Sequence, residues 1–189
     1  MTTAGRHSAS RRGVVTAAAL GVAGLGALGA APAAAAGAPQ PGSTAGSPQD
    51  REAVRAVVDG IDQAVDAKDW ALCRRYFTDQ VDVDFVALDG GAPARMAADE
   101  LVGAWRRNLY EQKKSFHMRG NHDIRIDGDR AGVRSKGYAF NRLERPLGDD
   151  LWEVWGDYAH RLVRTREGWR CSAIALTAVT HARGNELVR

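Results

Sequence analysis

The sequence has 189 residues, 26 of them Lys or Arg and 23 Asp or Glu, for a net charge of +3 and an isoelectric point near 9.1. The excess lies in the first 49 residues, which contain Arg6, Arg11 and Arg12 and no acid; beyond them 23 basic residues face 23 acidic ones. A formally neutral stretch of about 140 residues is the size of one domain and excludes long-range attraction to nucleic acid.

The chain opens with Ser10-Arg11-Arg12-Gly13-Val14-Val15, an Ala/Gly-rich apolar stretch to Ala31, and the small-residue run Ala34-Ala35-Ala36 that a signal peptidase can cut. This pattern predicts a twin-arginine signal peptide over 1–36, a flexible linker over 37–48, a folded domain over 49–183 and a short tail over 184–189. The domain is then secreted or otherwise extracytoplasmic. Gly and Ala gain too little on transfer to lipid for Val14 to Ala31 to anchor the chain, so no membrane association is expected after processing.

Ser47-Pro48-Gln49-Asp50 reads as a helix start, with Ser as cap and Pro at the first helical position. Val54, Val57, Val58, Ile61, Ala64 and Val65 continue it at helical spacing to about residue 67. Asp69 reads as the cap of a short second helix that carries Trp70, Leu72, Cys73, Tyr76 and Phe77. Val81 to Phe85 alternates as a strand ending at Asp89-Gly90-Gly91, with Asp82 and Asp84 on the solvated face of a sheet edge. A third helix is expected near Ala97 to Tyr110, followed by long strands over 115–126, 131–140, 152–165 and 169–180. Helices followed by long antiparallel strands make an α+β fold, and twist in such strands curls the sheet around a cavity.

Cys73 and Cys171 either pair outside the cytoplasm or remain as small buried apolar residues. His117, His122, His160 and His181 lack metal-ligand spacing, and no Gly-rich phosphate loop or nucleophile elbow is present, so no metal or cofactor is expected. His117 and His122 face opposite sides of their strand unless a bulge at Gly120 resets the phase. What remains is acid–base chemistry in a pocket. Asp66 ends the first helix and His117 opens the first long strand; Tyr158 and His160 share one face of theirs with Trp152, Val154 and Leu162. Each also has a structural reading: Asp66 as a turn cap, His117 as a half-buried strand residue, Tyr158 and His160 on an outer face or at an interface.

Asp66-Ala67-Lys68-Asp69-Trp70, Phe77-Thr78-Asp79 before Val83-Asp84-Phe85, His117-Met118, Asn121-His122, Asp127-Gly128-Asp129, Gly156-Asp157-Tyr158 and Gly168-Trp169-Arg170 occur in this order. With these gaps the chain resembles the nuclear-transport-factor-2-like superfamily, in its SnoaL-like and scytalone-dehydratase-like branch. The resemblance implies a cone-shaped curved antiparallel sheet with three helices in the N-terminal half enclosing a hydrophobic pocket, and a homodimer. It places Asp66 and His117 at catalytic positions of the dehydratase. It also puts Val65 and Phe85 where that enzyme has two tyrosines, and Ser135 near its second histidine. Asp66, His117, Tyr158 and His160 are thus the expected catalytic set, with Trp70, Tyr76, Phe85, Trp105, Ser135 and Trp152 contacting the ligand. The expected function is cofactor-independent lyase or isomerase chemistry on a small hydrophobic carbonyl or hydroxyl compound. The alternatives are a non-catalytic small-molecule-binding module and a structural dimer with a filled interior.

Overall fold

The computed structural model describes residues 46–144 and 147–189. The expected signal peptide, and the linker up to residue 45, lie outside them. Helix α1 (Pro48–Asp66) starts where Ser47 Oγ accepts a hydrogen bond from Asp50 N at 3.0 Å, and buries Val54, Val58, Ile61 and Ala64. Lys68 takes a left-handed φ of 59°, breaking the helix, and Asp69 Oδ1 then accepts from Leu72 N to cap α2 (Trp70–Arg75).

Strand β1 (Phe77–Asp84) runs into a one-turn helix α3 (Val86–Asp89), strand β2 (Ala94–Ala97) and helix α4 (Ala98–Asn108). The long strands β3 (Lys114–Asp127), β4 (Arg130–Arg142), β5 (Leu151–Thr165) and β6 (Gly168–Gly184) complete the chain. They form a six-stranded sheet in the order β2-β1-β6-β5-β4-β3, in which β1 pairs parallel with β6 and the other pairs are antiparallel. Two expectations are corrected here. β2 forms the edge, so β1 is interior to the sheet. Asp82 is also not merely solvated: it joins Arg95 on β2 at 3.2 Å and Arg161 on β5 at 2.6 Å.

Register shifts interrupt the β5–β6 ladder at three places and the β3–β4 ladder once, bending the strands around α1. Val54, Val58, Val81, Cys73 and Cys171 are wholly buried between that helix and the sheet. Both cysteines are free thiols, each pushed up to about 12 by burial, and behave as small core residues. Among the described residues no helix is long and apolar enough to cross a membrane.

Candidate active site

The inward face of β3 decides the site. Asn121 adopts φ of 54°, and the ladder passes from Gly120 opposite Lys136 to Asp123 opposite Arg134, so two residues of β3 oppose one of β4. This bulge reverses the phase, and His117, Arg119 and His122 all turn toward α1. On α1, Asp59, Asp62 and Asp66 recur at spacings of three and four and share one helix face. The two elements therefore meet in three acid–base pairs: Asp66 with His117, Asp62 with Arg119, and Asp59 with His122.

Asp66 receives His117 twice. Its Oδ2 accepts the backbone N–H of His117 at 2.6 Å, and its Oδ1 lies 2.7 Å from Nδ1 of the ring. Burial disfavours the charge on Asp66, but the bonds from His117 prevail and hold the carboxyl below the usual aspartate range. An ionised carboxylate only accepts, so the short contact requires the ring proton on Nδ1 and leaves the lone pair of the neutral imidazole on Nε2. Lys68 Nζ, on the left-handed residue after the helix, donates to Ser115 Oγ at 2.9 Å and ties the helix end to the start of β3.

One step further along β3, Arg119 Nη2 donates to Asp62 Oδ1 at 3.0 Å and Nε stands 2.8 Å from Oδ2, the second contact poorly aligned for a hydrogen bond. Burial opposes the guanidinium charge, yet Asp62 and Tyr158 together outweigh it and raise the Arg119 pKa. The guanidinium carbon sits 3.4 Å from the centre of the Tyr158 ring. Both groups lie over Gly137 of β4, where a Cβ would stand 2.4 Å from Tyr158 Cε2 and 2.7 Å from Arg119 Nη1. Only glycine leaves room for this stack.

A cavity of 330 Å³ opens above these pairs, at the lower end of the ~300–1,000 Å³ range of small-molecule sites. Ile61 and Val65 of α1, Trp105 of α4, and Trp152 and Val154 of β5 supply apolar wall, and His117, Arg119 and Tyr158 supply polar wall. Trp105 is fixed by edge-to-face contacts with Phe77 at 5.8 Å and Phe85 at 6.5 Å. The end of the chain reaches the mouth: Val188 is fully buried against Ala139, Trp152 and Val154, and Arg189 bonds Leu88 O and pairs with Asp89.

Of the expected catalytic residues, His117 and Tyr158 line this cavity and Asp66 stands behind His117. His160 does not reach it. With 2% of its surface exposed it sits deeper in the core, where burial and then the charges of Arg119 and His122 push its pKa down to about 3. Of the expected ligand contacts, Phe85, Trp105 and Trp152 are in the wall, and Trp70, Tyr76 and Ser135 are not. Trp70 and Tyr76 pack against the core from the helix side, the Tyr76 ring resting on Gly60 where a Cβ would be 2.5 Å from Cζ. Ser135 is buried on β4 opposite Tyr158, its hydroxyl without a hydrogen-bond partner. The sequence reading missed Asp62 and Arg119. Their signal was a carboxylate one turn before Asp66, and a cation in phase with His117.

A curled sheet closed by helices over a small, largely apolar cavity, with an Asp–His pair at its wall, defines an α+β domain with a cavity of small-molecule size. The chain belongs to the SnoaL-like domain family, whose model matches residues 47–175. The Kfla4162 protein from Kribbella flavida is similar at 28% identity, with a TM-score of 0.70 over 75% of this chain and 97% of that one. A candidate scytalone dehydratase from Novosphingobium aromaticivorans is similar at 16% identity and a TM-score of 0.63, over 73% of this chain and 89% of that one. A candidate dehydratase of the NTF2-like family from Streptomyces avermitilis is similar at 14% identity and a TM-score of 0.57, over 67% and 94%. No curated protein matches the chain.

Proposed function

We propose that the domain is an acid–base lyase or isomerase acting on a small, largely apolar carbonyl or hydroxyl compound. One observation carries this reading: Asp66 grips the His117 ring through Nδ1, and His117 itself lines the cavity. A carboxylate that fixes the tautomer and stabilises the imidazolium lets Nε2 take a proton from a bound molecule and return it to another atom of the same molecule. Asp66 is the orienting group, His117 the proton shuttle, and Tyr158 a candidate donor to a substrate oxygen. The leader sequence supports an extracytoplasmic setting for this chemistry.

The test is deuterium exchange at the α-carbon of 1-tetralone in D2O, followed by proton NMR. The protein should accelerate exchange, and His117→Ala should abolish the acceleration while ligand binding, read from tryptophan fluorescence, persists. Equal exchange in both proteins would remove His117 from the chemistry. A second reading, a non-catalytic binder of hydrophobic small molecules, is favoured by Val65 and Phe85, two apolar groups in the cavity wall that cannot donate to a substrate oxygen. Binding without any exchange would select it.

A further inference from the structure

We propose that Asn141 sets the specificity of the cavity, and that its ligand is a ring compound with a cis-amide edge, a lactam or cyclic imide, which pairs with both the donor and the acceptor of the Asn141 side chain. The proposal rests on the small-molecule reading above and narrows its ligand class; it holds for a catalyst and for a binder alike.

Asn141 stands in the inward phase of β4 with Val133, Ser135, Gly137 and Ala139. It is 7% exposed and belongs to the cavity wall, and its side-chain amide makes no hydrogen bond to any described residue. Among the described residues, the sealed side-chain atoms that lack a hydrogen-bond partner belong to Asp62, Arg119, His122, Ser135 and His160. Asn141 is not one of them, so its amide atoms reach open space, and the space it borders is the cavity.

A largely buried amide without a partner costs stability, so folding alone gives no reason for an Asn at this place in a row of small and apolar residues. Its surroundings are apolar. Trp152 lies opposite it on β5, and Val188 is buried against Ala139, Trp152 and Val154. A ligand group that reaches Asn141 is therefore shielded from water, the condition under which a missing partner is most costly and an analogue lacking it is most strongly rejected.

The amide decides the chemistry of that group. It carries a carbonyl oxygen and an NH2 side by side, and a half-turn about χ2 only exchanges them, so the site offers one acceptor next to one donor in either orientation. A ketone or an ether engages the donor alone, and a single hydroxyl cannot align with both atoms at once. The edge of a cis amide, with N–H and C=O on the same side, matches both, as Asn matches the donor–acceptor edge of adenine. Register places the rest of the ligand. His117 pairs with Ala139, so Asn141 lies one strand across and two residues along from it, about 8 Å between Cα atoms. A ring held at its amide edge by Asn141 extends its far side toward His117.

The probes are 3,4-dihydroquinolin-2-one, its N-methyl derivative and 2-tetralone, which share one two-ring shape; the second lacks the N–H, and the third has CH2 in place of the nitrogen. Calorimetry with the wild type should give the lactam at least about tenfold tighter binding than either of the others, although the lactam is the better hydrated in water. Asn141→Leu, of similar volume and checked for folding by circular dichroism, should lose that preference through a loss confined to the lactam; Asn141→Ala supplies the same comparison if leucine does not fold. The wild-type ranking needs no variant: failure of the lactam to bind, or equal affinities for lactam and 2-tetralone, would overturn the assignment, as would a preference that survives in the folded variant. A lactam preference without 1-tetralone exchange would keep Asn141 in its role and defeat the acid–base reading; exchange without a lactam preference would do the reverse.

Discussion

Asp62 and Arg119 form a salt bridge, each with less than a tenth of its side chain exposed, with Nη2 donating to Oδ1 at 3.0 Å, one helical turn before the Asp66–His117 contact. Two charges taken out of water in the middle of a core are tolerable only together. Asp62→Ala or Arg119→Ala should each cost ~3–5 kcal/mol, because either leaves an uncompensated buried charge, whereas Asp62→Leu/Arg119→Met should lie close to the wild type. Urea denaturation of the three variants measures this; additive single and double costs would show that the pair is not coupled.

Replacing Asp66 by Asn keeps the shape of the helix end but removes the acceptor that forces the His117 proton onto Nδ1. Exchange activity should fall by ~10²–10⁴-fold with little change in ligand affinity. The Asp66 carboxyl titrates below its unfolded value, so its contribution to stability is full above the usual aspartate range and is lost as pH falls through the depressed folded value. Asp66→Asn should therefore flatten the acid limb of the stability profile, as followed by circular dichroism.

His160 sets a second and earlier pH window. The unfolded chain protonates it near 6.5, whereas the folded chain, with Arg119 and His122 facing it, does so only near 3. Stability is thus full above about 6.5 and falls as pH drops toward 3, by up to ~1.4 kcal/mol per unit. His160→Leu should reduce the slope between pH 6.5 and 5.5, above the range in which most carboxylates titrate; an undiminished slope there would place its cause elsewhere.

Gly137→Ala should damage the cavity without touching either member of the Asp66–His117 pair. The new methyl would meet the Tyr158 ring at 2.4 Å and Arg119 Nη1 at 2.7 Å, so the stack must move. Overpacking of this kind costs ~1–3 kcal/mol, and 1-tetralone affinity should drop with it. Wild-type affinity, measured by calorimetry, would mean that the stack is free to shift.

The larger elements were legible because each carries a local cause. Ser47 and Asp69 cap their helices as their side chains suggest, and the strands β3 to β6 coincide with runs of alternating residues. The four-residue elements α3 and β2 were not, since so short a span has no periodicity to read. Missing β2 misplaced β1 at the sheet edge. Trp70 and Tyr76 were assigned to the pocket on residue type alone, yet Gly60 gives the Tyr76 ring a seat on the back of α1.

The sequence by itself determined the α+β class, the starts of α1 and α2 and the candidacy of Asp66 and His117, all of which follow from spacing and capping within one segment. Tertiary structure decided which charges meet. A single left-handed residue at Asn121 reverses the phase of β3, and the packing of α1 across that strand converts three separate carboxylates into partners for His117, Arg119 and His122. Charge pairing across packed elements depends on register and crossing geometry, which no local pattern encodes.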